Sequence, residues 1–284
     1  MGFVSFVHSL RKYKLMEYIL DSLSYYKLDL WYYRLSNLKN NKRLNDMASE
    51  YYSKAEVKKK IVKICSFLAD DESVEIYKRC VLARKTGNYK YLPKVNTEKI
   101  RNQYFDQEIM KINKNDVMID GGAWLGDTFR RFFLQGGGEA VAFEPSDDLY
   151  RKIRVKRKWN VKLVHAGLWN ESKLLKFDVD SSLVVPDNHE GKDLLEIVVK
   201  SIDEMPECRN ATFIKMDVEG SELQALKGAY HTIKRNHPKL AICIYHSEED
   251  MVDIPIWLYE NFPDYKFYIR HYSHGITETV IYAV

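Results

Sequence analysis

The sequence predicts an α/β protein in which a mostly parallel sheet carries helices on both faces and is preceded by a helical amino-terminal region. Three observations lead there. From residue 116 onward, apolar strand-like runs alternate with helical periodicity, the pattern of consecutive β-α-β units. Several of those runs end in carboxylates, at the sheet edge where open parallel sheets bind ligands. Ahead of them lies a stretch rich in Lys, Tyr and Leu with no glycine between Gly2 and Gly87.

In that first region Met47, Tyr51, Ala55, Ile61, Cys65 and Leu68 recur at helical spacing. Val74, Tyr77, Val81 and Leu82 do the same before Gly87 stops the run. Three to five helices are expected there. Pro93 and Asn96 fall in a connector, so the division expected is a helical domain over 1–95 and an α/β domain over 96–284. Strands are expected near 116–120, 139–144, 161–165, 212–217 and 239–245, and the runs 265–271 and 276–284 read as a closing hairpin. Residues 180–193 are poor in pattern and rich in turn formers, and read as a loop over the site.

Two segments carry chemistry. The strand Val117-Met118-Ile119-Asp120 runs into Gly121-Gly122-Ala123-Trp124-Leu125-Gly126-Asp127-Thr128, and a helix follows through Phe129, Phe132 and Phe133. Glycines let the backbone approach a ligand, and a helix start offers free N–H groups. The spacing Gly122-x-x-x-Gly126 is not the G-x-G-x-x-G of a dinucleotide fold, which disfavours a dehydrogenase. The next strand ends at Phe143-Glu144-Pro145, where an acid is placed to accept hydrogen bonds from ribose hydroxyls. The second segment, Phe213-Ile214-Lys215-Met216-Asp217-Val218-Glu219-Gly220, is a strand ending in two carboxylates, with a turn and a helix through Leu223, Leu226 and Ala229. Capping of that helix is the structural alternative for Asp217 and Glu219.

With 284 residues, 30% of them charged, and a net charge of +4, the chain suits a soluble enzyme and does not demand a polyanionic partner. No DNA partner is expected. Cys65, Cys80, Cys208 and Cys243 form no C-x-x-C pair, which fits a reducing cytoplasm and argues against zinc. No apolar run reaches membrane-spanning length, and the first residues match neither a secretion signal nor the myristoylation pattern. The basic run Arg151 to Lys158 reads as the solvated face of a helix, or as a phosphate-binding surface. Tyr25, Tyr26, Trp31, Tyr32 and Tyr33 read as helical core, a sugar-stacking cluster or a homo-oligomer contact.

On the segments Asp120 to Thr128, Phe143-Glu144-Pro145 and Phe213 to Ala229, with Tyr245 to Asp250 and Arg270-His271-Tyr272, the chain resembles the FkbM family of S-adenosylmethionine-dependent methyltransferases. The resemblance spans roughly residues 99–284 and implies a class I, Rossmann-like methyltransferase sheet of seven strands closed by an antiparallel strand. It implies that Asp120, Gly122, Gly126 and Glu144 hold the cofactor, while Asp217, Glu219 and His246 face the acceptor. Gly121, Asp127, Thr128, Pro145 and Asp217 complete the cofactor side, and Ala166, Gly167 and Leu168 stand where the adenine lies in this fold. Many relatives have Asn in place of Trp124.

The expected reaction is methyl transfer to a hydroxyl oxygen, on a sugar of a surface glycan or its precursor. Alignment alone supplies roughly 7–11 kcal/mol. A base must also take the hydroxyl proton, and His246, after the apolar strand 239–245, is the expected one, with Glu219 next. His271 and Tyr272 read as hairpin surface. Asp217, Glu219 and His246 also leave a divalent metal open, although none is favoured. An RNA methyltransferase using the basic run, and a silent cofactor-binding adaptor, remain the alternatives.

Overall fold

The computed structural model describes residues 41–178, 183–185 and 194–284. Among the described residues three helices come first: α1 (Asn41–Tyr51), α2 (Ala55–Phe67) and α3 (Asp71–Thr86). Asp70 caps α3 by accepting from the Ser73 N–H at 2.7 Å, and Gly87 ends it in the left-handed conformation with φ 62°. Met47, expected on the apolar face, is exposed, and Ala48 and Tyr52 are buried in its place. The aromatic cluster at 25–33 lies outside the described residues. After the short helix α4 (Thr97–Arg101) comes the α/β part.

Seven strands form the main sheet: β1 (Val117–Gly121), β2 (Glu139–Phe143), β3 (Asn160–Val164), β8 (Phe213–Met216), β9 (Lys239–Cys243), β10 (Phe267–His271) and β11 (Thr279–Ala283). Their order is β10-β11-β9-β8-β1-β2-β3, with β11 antiparallel to both neighbours and the central strands parallel. Helices α5 (Asp127–Leu134), α6 (Asp147–Lys152), α7 (Glu222–Lys227), α8 (Tyr230–Asn236) and α9 (Asp250–Asn261) connect them.

The central strands are mostly apolar because both faces are covered. Ile119, Val141, Ile214, Met216, Leu240 and Ile242 pack in one core cluster, which α2, α3 and α9 also enter through Ile64, Tyr77 and Leu258. Met118, Ala140, Phe213, Ala241 and Cys243 pack in the other, with Tyr104, Phe105, Phe129 and Phe132. This alternation places Asp120 and Lys215, which are register partners across β1 and β8, on the same face.

Two expectations need correction. Between β3 and β8 the chain builds a second sheet, β4-β7-β5-β6, from β4 (Gly167–Leu168), β5 (Lys173–Asp178), β6 (Leu183–Val185) and β7 (Leu194–Lys200). Part of the expected loop is therefore strand β6, while 180–182 and 186–193 lie outside the described residues. The basic run is not one helix: α6 ends at Lys152, and Ile153 turns extended at ψ 130°. Arg151 and Lys152 pair with Asp147 and Asp148 along α6, so part of the positive charge is already matched. Among the described residues no helix is long and apolar enough to cross a membrane.

Candidate active site

The glycine-rich turn is built by backbone contacts. Gly122 and Ala123 donate their N–H groups to the Phe143 carbonyl, tying the turn to the end of β2. Gly122 has φ +75°, and a Cβ there would stand 1.8 Å from the Asp217 carbonyl oxygen, so only glycine fits. Gly126, also left-handed at φ 79°, opens α5. Asp127 is exposed at the first position of that helix, and Thr128 is buried. Trp124 adopts φ 48°, a conformation that costs most L-residues free energy and suits Asn or Gly.

Glu144 stands over this turn, 5% exposed. One carboxylate oxygen accepts the Trp124 N–H at 2.8 Å and the other the Ser146 N–H at 2.9 Å. Burial raises its pKa against the pull of those bonds. Its fixed carboxylate keeps lone pairs for a ligand hydroxyl. Pro145 and Gly167 are neighbours, since a Cβ on Gly167 would lie 3.7 Å from the proline. Ala166 and Leu168 are buried, and Leu168 packs against Gly121.

Asp120 is fully buried and faces Lys215 at 3.2 Å instead of open space. Burial pushes its pKa up to about 6 against the attraction of Lys215. Lys215 donates to the carbonyls of Gly121 at 2.9 Å and Gly122 at 2.8 Å. Burial would lower its pKa, yet Asp120 and then Asp217 raise it. The lysine, quoted in the family motif but given no role from sequence, thus staples the two chemistry-bearing turns together.

Asp217 leaves the end of β8 on the same face. Tyr104 donates to one of its oxygens and Tyr245 to the other, each at 2.9 Å. Burial opposes its ionisation, but Lys215, His246 and the two phenols win and lower its pKa. Tyr104 sits in the connector before β1, with φ 66°, where no local sequence signal marks it. Glu219, also left-handed at φ 55°, keeps 75% of its side chain exposed.

His246 does lie beside Asp217, with Nε2 3.4 Å from Asp217 and 3.6 Å from Glu219, and Nδ1 3.1 Å from Glu222. Glu222 was not anticipated. It is fully buried and accepts the N–H groups of Val218 at 2.7 Å and Gly220 at 3.1 Å, which shapes the turn. It is Glu222, not Asp217 or Glu219, that meets the turn's backbone N–H groups. Burial alone would lower the His246 pKa, but Glu222, Asp217 and Glu219 outweigh it and push it up to about 9. At that pKa the ring favours the imidazolium near neutral pH, the form without a lone pair to accept a proton. Asp217, Glu222 and His246 present ligand atoms within 4.8 Å of one another, with Glu222 in place of the expected Glu219.

His271 and Tyr272 are not hairpin surface; both are buried. His271 Nδ1 meets the Thr279 hydroxyl at 2.9 Å, and burial lowers its pKa to about 4. Tyr272 bonds Tyr282 at 2.7 Å, and the Tyr282 hydroxyl in turn accepts the Tyr104 N–H at 3.0 Å. Tyr272 and Tyr282 thus support Tyr104 from behind.

A search of curated proteins found no match. Among solved structures, methyltransferase FkbM from Methylobacillus flagellatus KT is similar at a TM-score of 0.66 and 24% identity, over 81% of this chain and 59% of that one. The chain thus spans less than two thirds of that relative's length. Fibrillarin from Aeropyrum pernix, solved with natively bound S-adenosyl-L-methionine, aligns at a TM-score of 0.39 and 12% identity, over 66% of this chain and 73% of its own. A family model, the methyltransferase FkbM domain, matches residues 115–272, which include the glycine turn, Glu144, Asp217 and His246. With more than half of its length so matched, the chain belongs to the FkbM methyltransferase family.

Proposed function

We propose that this methyltransferase uses S-adenosylmethionine and methylates a hydroxyl oxygen, with a sugar of a surface glycan or its precursor as the acceptor. The observation that carries the reading is the meeting, at one sheet edge, of a glycine turn only glycine can make, the Glu144 carboxylate beside it, and the Asp217 cluster. The donor set fits the cofactor. The glycine turn leads to a helix start that suits close backbone approach, Glu144 suits a ribose diol, and the carboxylates Asp217 and Glu219 suit a cationic sulfonium and ammonium.

When bound, the cofactor supplies a methyl already activated by its positive sulfur. The chain's own residues align and deprotonate. Asp217 is held by Tyr104 and Tyr245 in one rotamer, a fixed carboxylate at the sheet edge. Glu219 is the exposed carboxylate at the same turn and takes the place of His246 as the candidate base. The imidazolium of His246 acts electrostatically, holding Asp217 ionised. Calorimetry with S-adenosylhomocysteine tests the cofactor assignment, and methyl transfer to a panel of nucleotide sugars tests the acceptor. No heat of binding overturns the first, and transfer to RNA instead of any sugar overturns the second.

A further inference from the structure

We propose that Arg84 is a positioning residue of this site, and that helix α3, upstream of the span matched by the family model, orients the segment bearing Tyr245 and His246. The inference rests on the reading of the Asp217 cluster as the reaction centre. The Arg84 side chain is 3% exposed and aims at two loops at the ligand-binding edge. One nitrogen donates to the Tyr245 carbonyl, the residue before His246, and also to the Ile276 carbonyl at 2.9 Å. The other donates to Glu248, two residues after His246, at 3.1 Å. A guanidinium stays charged and presents its donors in a rigid fork, so one side chain fixes three acceptors at once.

That grip matters because, among the described residues, His246 makes no aligned hydrogen bond through either ring nitrogen. The ring's distances to Glu222, Asp217 and Glu219, and its 4.1 Å contact with the Tyr245 ring, depend on where that backbone is held. Tyr245 depends on the same carbonyl anchor while its hydroxyl holds Asp217. A second contact from α3, Tyr77 to the Met251 carbonyl at 3.1 Å, reaches α9 beyond this turn and serves as an internal comparison.

The test uses the full chain with ¹⁵N-labelled histidine, titrated by NMR, His246 being assigned from the signal missing in His246→Gln. Arg84→Gln should move the His246 midpoint down by about one pH unit or more, as the ring drifts from its carboxylates. Simple loss of a neighbouring positive charge would move it up, so the sign separates position from charge. Arg84→Lys keeps the charge but loses the fork, should shift the same way by less, and serves if the Gln variant does not fold. Tyr77→Phe should lower the melting temperature and leave the midpoint where it was. An unchanged or rising midpoint in the Arg84 variants overturns the proposal. S-adenosylhomocysteine calorimetry on the parent chain reports on the cofactor assignment separately, since this titration needs no cofactor.

Discussion

Two turns leave adjacent parallel strands of this sheet, each leads toward a helix, and they are held together in opposite ways. The turn after β1 is made of glycines and backbone hydrogen bonds, with the buried Glu144 carboxylate over it. The turn after β8 is made of charge, with Asp217, Glu219 and Glu222 around the His246 ring and two phenols on Asp217. A backbone-built turn offers shape and N–H groups, whereas a charge-built one offers a tuned field. Lys215 joins them, with one ammonium on Asp120, on the carbonyls of Gly121 and Gly122, and in the field of Asp217.

The hardest way to break the comparison is to remove that joint. Lys215→Met leaves Asp120 buried without a partner and should cost about 3–5 kcal/mol of stability, the scale of a broken buried ion pair. Urea unfolding checks it, and adding Asp120→Asn should restore much of the loss. If Lys215→Met unfolds like the parent, the two turns are not joined through this pair.

The charge-built turn alone should respond to mild alkali. His246 has a folded pKa of about 9, above the ordinary 6.5. Its contribution to stability is therefore fully present below pH 6.5 and is lost as pH rises through 9. At 1.36 kcal/mol per pKa unit the amount is about 3 kcal/mol. Unfolding measured from pH 6 to 10 should show this fall in the parent and not in His246→Gln. A parallel pH dependence in both proteins would place the charge elsewhere.

The backbone-built turn should respond to ligand instead. Glu144→Ala should weaken S-adenosylhomocysteine binding by about 1.5–3 kcal/mol, the scale of hydrogen bonds to a charged group. Glu144→Gln keeps an acceptor for one N–H and should lose less. Equal affinity in a folded Glu144→Ala protein, read by calorimetry, removes the ribose role. The smallest effect sharpens the contrast at one residue. Trp124→Asn relieves a left-handed aromatic and should raise stability by about 1 kcal/mol, read as a higher melting temperature. A fall would mean that the indole's packing outweighs the strain.

Much of this was legible locally. The alternation of strands and helices, the glycine turn, Gly87 as a helix stop and the acids at strand ends follow from residue chemistry acting over a few positions. Strands β5 to β7 were not legible: Lys173–Asp178 and Leu194–Lys200 mix charge and apolar residues, the turn formers between them read as one loop, and their pairing with each other supplies what local pattern lacks.

By itself, then, the sequence determined an α/β sheet with a ligand edge and placed Glu144, Asp217 and His246 on it. Tertiary structure alone decided what those groups are. It set Asp120 opposite Lys215 by strand register, and brought Tyr104 from 113 positions away and Arg84 from 161 positions away to hold Asp217 and the Tyr245 carbonyl. It also put Glu222 under His246, where it helps push the ring's pKa up to about 9. The physical reason is range. Propensity and pattern act between near neighbours, but a protonation state is set by whatever charge and burial the fold assembles within a few ångströms, from any part of the chain.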